Sequence, residues 1–156
     1  MAGRTLGLAL MLAAVGAGTL EAQGRPVNVQ ARRDLDFGTV IPGVPTTVSP
    51  LDPAAGQFIV RGQRDAEVLL ELVLPIALTG AAGALPLAFG PADGGHGPLP
   101  DLAASQPFDP RVPLTVVLSG NGTHYLWLGG TVQPPTQLGP GTYSAQILLT
   151  ASYTGN

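Results

Sequence analysis

An antiparallel β-sandwich of roughly seven or eight short strands is the fold that this sequence predicts. Three observations point there. Residues 141–153 set Tyr143, Ala145, Ile147, Leu149, Ala151 and Tyr153 against Thr142, Ser144, Gln146, Thr150 and Ser152, the period of a strand with one buried face. Leu148 alone breaks the polar row. Turn formers punctuate the whole chain, with 22 Gly and 16 Pro in 156 residues. No convincing amphipathic helix follows the apolar start, so short strands with Greek-key connections are the economical architecture.

The chain opens with Arg4, an apolar run over residues 6–20 diluted by Gly7, Gly16 and Gly18, and then Glu21-Ala22-Gln23. These are the three regions of a secretory signal peptide, and cleavage is expected after Ala22. The run is shorter than the roughly 20 residues of a spanning helix, so no membrane span is expected after cleavage. Residues 1–22 therefore form the signal, 23–33 an N-terminal arm or edge strand, and 34–156 the sandwich. The mature part, about 134 residues, is the size of one domain and can bury a real core.

In the arm, Val27, Val29 and Ala31 alternate with Asn28 and Gln30, a brief strand suited to an edge. Residues 34–41 form the next expected strand, with Leu35, Phe37, Thr39 and Ile41 on one side and Pro42-Gly43 as its turn. Residues 57–61 follow, with Phe58 and Val60 inward. Residues 66–74 carry the strongest pattern, Val68, Leu70, Leu72 and Leu74 against Glu67, Leu69, Glu71 and Val73. Their Ala, Glu and Leu content also suits a helix, but Pro75 and the strand-like neighbours favour β. Residues 85–89 read as a short edge strand because of Pro86. Residues 90–113 read as a long surface loop. Residues 114–118 and 124–128 flank Asn121-Gly122, a strong hairpin signal, and residues 129–132 continue or bulge the second of them.

Composition narrows the functional classes. Without cysteine there is no disulfide framework and no lipid-modified N-terminal cysteine. All seven basic residues are Arg, and the net charge is −3, which gives no phosphate-binding footprint. Nucleic acid is not an expected partner. Only 11% of residues are charged, a balance suited to a turn-rich exported β protein.

The motifs at residues 35–40 (Leu-Asp-Phe-Gly-Thr-Val), 127–132 (Trp-Leu-Gly-Gly-Thr-Val) and 140–143 (Pro-Gly-Thr-Tyr), with the apolar-row strand between them, resemble a bacterial secreted family. It is the family called domain of unknown function four thousand four hundred and two, itself distantly similar to spore-coat-U and fimbrial pilin-like subunits. The resemblance spans residues 33–153. It implies an immunoglobulin-like fold and no catalytic residues to carry over. The chain departs from many fimbrial subunits in having no cysteine pair.

No catalytic constellation stands out. Ser105, Ser119 and Ser144 lack a nucleophile elbow, and Glu67 and Glu71 would lie about 13 Å apart along one strand, too far for a glycosidase pair. His96, Asp101 and Asp109 share the long loop without a calcium-loop spacing, and His124 has no zinc context, so no metal or cofactor is expected. Tyr125 and Trp127, two apart, share one face and form the candidate ligand platform, with packing in the interior as the alternative. Val27, Val29 and Ala31 form the candidate assembly arm, which can either pair at home or complete a neighbour's sheet. The expected function is that of a non-enzymatic exported structural subunit, pilin- or coat-like, pairing edge strands with copies of itself or another surface protein. The alternative is a secreted carbohydrate-binding or adhesin-type module with a glycan partner.

Overall fold

The computed structural model of the chain describes residues 24–155, so the signal-peptide expectation for residues 1–22 lies outside the described residues. Twelve strands appear among the described residues, more than the seven or eight expected. In chain order they are β1 (Asn28–Arg33), β2 (Thr46–Val48), β3 (Gly56–Arg61), β4 (Glu67–Val73), β5 (Ala77–Gly80) and β6 (Gly83–Ala88). Then come β7 (Gly94–Gly97), β8 (Gln106–Phe108), β9 (Leu114–Val117), β10 (Thr123–Leu128), β11 (Gly130–Val132) and β12 (Leu148–Tyr153). They form an all-β domain of three antiparallel sheets, ordered β1-β3-β10-β7-β8, β2-β11-β6-β5 and β12-β4-β9.

The main core lies between the five-stranded and three-stranded sheets. Val60 and Leu126 come from the first; Val68, Leu70, Val116 and Leu149 come from the second, with Leu118 just beyond β9. Each belongs to an alternating row, which is why the patterns at residues 57–61 and 66–74 read correctly. The alternation of the terminal segment also holds: Tyr143, Ile147, Ala151 and Tyr153 are half-buried and Leu149 is buried, whereas Ala145 is exposed. A second cluster, Leu85, Leu87 and Val132, sits under β6 and β11 of the four-stranded sheet.

Several expectations are corrected by tertiary context. Residues 34–41 form no strand: the Asp36 carboxylate accepts from the Gly38 N–H at 2.8 Å in an Asx turn, which competes with ladder pairing. Ile41 points to solvent, 61% exposed. The terminal strand begins only at Leu148, joined upstream to β5 by a single bridge, Thr79 to Ser144. β6 is an interior strand despite Pro86. The Leu87 N–H bonds Ile76 O at 3.0 Å, so Pro86 stands opposite Ala77 at a pair that exchanges no hydrogen bonds, where a missing N–H costs nothing on that side.

The stretch 90–113 is not one loop but carries β7 and β8. β7 reads Gly-Gly-His-Gly, a composition that disfavours strands in general yet suits this position, because a Cβ on Gly94 would lie 2.5 Å from the Phe108 ring. The Asn121-Gly122 turn likewise closes no hairpin. β9 pairs with β4 and β10 with β3 and β7, so the turn carries the chain from one sheet to the other, with Gly122 at φ 73°.

Candidate functional site

The inner face of β6 and β11 is packed largely by segments that form no strand. Its cover comes from Phe37 and Val40 on residues 34–42, and from Leu138 and Tyr143 on residues 138–147. Both segments are sparsely tied. The Asp36 N–H donates to Ala54 O at 3.0 Å, and Ser144 and Thr79 exchange main-chain bonds at 2.9 and 3.0 Å. The Tyr143 hydroxyl donates to Gly139 O at 2.6 Å, which fixes the ring against its own segment. Between the two segments runs an open cleft of about 850 Å³.

At one end the cleft adjoins a smaller cavity of about 340 Å³ lined by Phe37, Phe58, Leu78, Leu87, Leu128 and Ile147. The cavity exists because the β4–β12 ladder stops at Val73 and Leu148 and pairing resumes only at Thr79 and Ser144. The intervening run on the β4 side is longer than its partner and contains Pro75, which cannot donate to a ladder. Asp34 and Asp36 are the charged residues of the lining, and no basic side chain joins them. An apolar floor between two segments with free backbone groups suits an extended peptide, whose main chain would bond the walls while alternate side chains fill the floor.

The candidate arm is placed against its own chain. β1 pairs antiparallel with β3 from Asn28 opposite Arg61 to Arg33 opposite Gln57. Val27 and Val29 pack on the main core, and exposed Ala31 reaches the smaller cavity. The Tyr153 hydroxyl, on β12, holds the arm's root: it accepts from the Gln63 N–H at 2.7 Å and donates to Arg25 O. Tyr153→Phe removes both bonds and is expected to cost about 1 kcal/mol, read as faster amide exchange along residues 28–33.

The candidate platform is largely enclosed. Trp127 is 1% exposed and stacks on Tyr125 with ring centroids 6.2 Å apart and planes at 19°. Both lie on the face of β10 turned away from the main core. Gly95 stands opposite Trp127, and Pro50 and Ser105 press on that glycine from the loop side. Tyr125 keeps a partly open ring.

The sequence places His96 in a long loop and His124 on a strand, with nothing to link them. The structure brings them together: His96 Nδ1 lies 3.0 Å from His124 Nε2, on the core side of the five-stranded sheet. Burial pushes the His96 imidazole below its ordinary range. Burial first, and then the neighbouring His96, push His124 down to about 4. His124 Nδ1 is buried with no hydrogen-bond partner among the described residues.

Three further acidic groups serve local structure. Asp109 pairs with Arg111 at 2.8 Å, and that side-chain hydrogen bond holds its carboxyl down at about 2. Asp101 accepts from the Ala103 N–H, and Glu67 from the Thr154 hydroxyl. Among the described residues no group of three or more His, Asp or Glu side chains is placed to hold a metal ion. No helix among them is long and apolar enough to cross a membrane. The chain matches no protein-family model, no curated protein and no solved structure.

Proposed function

We propose that the chain is a non-enzymatic exported subunit of the cell surface or extracellular matrix, assembling by strand pairing with copies of itself or another surface protein. The observation that carries this reading is the cleft between residues 34–42 and 138–147, whose floor is apolar and whose walls have few main-chain partners. An unfilled cleft of this kind leaves both apolar area and hydrogen-bonding capacity to an incoming strand. In this reading the five-stranded and three-stranded sheets are the layers of an immunoglobulin-like sandwich, and the smaller cavity at the end of the cleft is where the three-stranded layer stops short. The resemblance of residues 35–40 and 140–143 to the secreted family supports it, since those motifs form the walls of the cleft.

Light scattering of the chain from Gln23 onward tests the proposal, run beside a form lacking residues 23–33 and beside Ala145→Arg. Ala145 is exposed and lines both the cleft and the smaller cavity, so Arg there places a charge at an apolar entrance without changing the core. The mass of the first form is expected to grow with time, and Ala145→Arg to stay at one chain. Growth that persists without residues 23–33 assigns the incoming strand to another edge; loss of growth assigns it to the arm. A first form that remains at one chain overturns the proposal.

A further inference from the structure

We propose that the His96–His124 contact is an acid-sensitive fastening, whose protonation parts the β7–β8 wing from β10 and bares the β10 edge of the five-stranded sheet. Among the four residues of β7, His96 alone carries a side chain beyond hydrogen. Its ring is held from two sides. His124 meets it nitrogen to nitrogen with centroids 5.3 Å apart, and Phe108 of β8 stands edge-on at 5.7 Å and 75°. The side-chain hydrogen bond that ties β7 to β10, beside their main-chain ladder, is this pair of imidazoles.

Proton counting makes the grip conditional. In the neutral pair, the His124 Nε2–H donates to His96 Nδ1, and the buried His124 Nδ1 is a bare acceptor, a lesser cost than a buried donor with no partner. One further proton spoils every arrangement. If both nitrogens of His96 are protonated while His124 keeps its Nε2–H, two donors face each other. If His124 carries a proton on Nδ1, a buried N–H has no acceptor. Either state also charges a ring on the apolar side of the sheet.

Among the described residues no opposite charge offsets this. Val60 of β3 lies across from His124 and Leu126 across from His96, both in the apolar core, and Phe108 closes the β8 side. The nearby carboxylates are engaged elsewhere: Asp93 accepts from the Gly90 N–H and Asp109 from Arg111. Both imidazoles are depressed in the closed form, His124 from 6.5 to about 4. The open form thus binds more protons, so closure is fully favoured above the ordinary histidine range and is lost as pH falls from about 6.5 towards about 4, by up to tenfold per pH unit for each proton.

Trp127 reports the opening, because it is the single tryptophan and pairs with Gly95 of β7. Its emission, followed as pH falls from about 7 to about 4, is expected to shift to the red in that window. His124→Leu removes the titrating ring and is expected to move the transition down by about one pH unit or more. Coincident transitions in the two proteins would mean that carboxylates alone drive the change, and would overturn the proposal. Should His124→Leu not fold, ring-proton NMR of the unaltered chain decides. Both histidines titrating well below the ordinary value sustains the fastening, and either one titrating at about 6.5 overturns it.

Discussion

Trp127→Ala is expected to lower the unfolding free energy by about 4 kcal/mol, the range for removing a large buried aromatic side chain. That is a large share of the roughly 5–15 kcal/mol that holds a domain together. The indole is 1% exposed, and its stacking on Tyr125 is lost with it. Beside it at Gly95 the face of β10 is approached by Pro50 and Ser105, which lie outside the strands, so partial collapse into the vacated space will trim the loss. Urea unfolding followed by far-ultraviolet circular dichroism checks this through a lower midpoint at unchanged slope. A ring serving as an exposed sugar platform would give the opposite pattern, stability within about 0.5 kcal/mol of the unaltered chain and a loss confined to ligand binding. Tyr125→Ala, at a half-buried position, is expected to cost less than Trp127→Ala in the same assay.

How much of this molecule the sequence makes legible depends on whether a segment's fate is local. The rows Val68-Leu70-Leu72 and Phe58-Val60 are readable because one side of each strand meets the core, and a period of two records it directly. Residues 34–41 carry the same period and form no strand. Their Asx turn is also local, but its competition with pairing is settled only by whether a neighbouring strand is on offer. β7 fails in the opposite direction. Its glycines read as loop, yet Gly94 is required by the Phe108 ring, a contact more than ten residues distant in sequence. The Asn-Gly pair marks a turn but not the hairpin that its spacing predicts, because which sheets it joins depends on the partners of β9 and β10.

The candidate sites divide the same way. Tyr125 and Trp127 sharing a face follows from spacing, whereas the enclosure of Trp127 follows from loops that no periodicity describes. The cleft and the histidine pair arise from the mutual placement of distant segments. A signal for the pair was present in the alternation of His124 with Leu126, an apolar inward row containing one imidazole that required a polar partner.

The joint between β10 and β11 concentrates the second large effect: Gly129→Ala is expected to cost about 3 kcal/mol, the upper end for overpacking a filled interior. A methyl group there collides with the Val48 carbonyl oxygen and lies 2.8 Å from Pro50 N and 2.9 Å from Ser49 C. All of these are main-chain atoms, so no rotamer change relieves the clash. The Gly129 N–H also bonds Asp93 O at 2.7 Å, which prevents the joint from retreating to the other side. The strand that must yield is β2, which is three residues long and is held by its pairing to β11 and by the Thr47–Thr131 hydroxyl contact at 2.8 Å. Loss of that pairing also loosens Val132, part of the floor of the cleft, so amide exchange should accelerate at residues 46–48 and 130–132 together. Gly120→Ala is the matched control. A Cβ at Gly120 meets nothing within 4 Å, and its stability should stay within about 0.5 kcal/mol of the unaltered chain. If Gly129→Ala proves as neutral as Gly120→Ala, then β2 slides freely on β11, and the four-stranded sheet is not the fixed floor against which an incoming strand could pack.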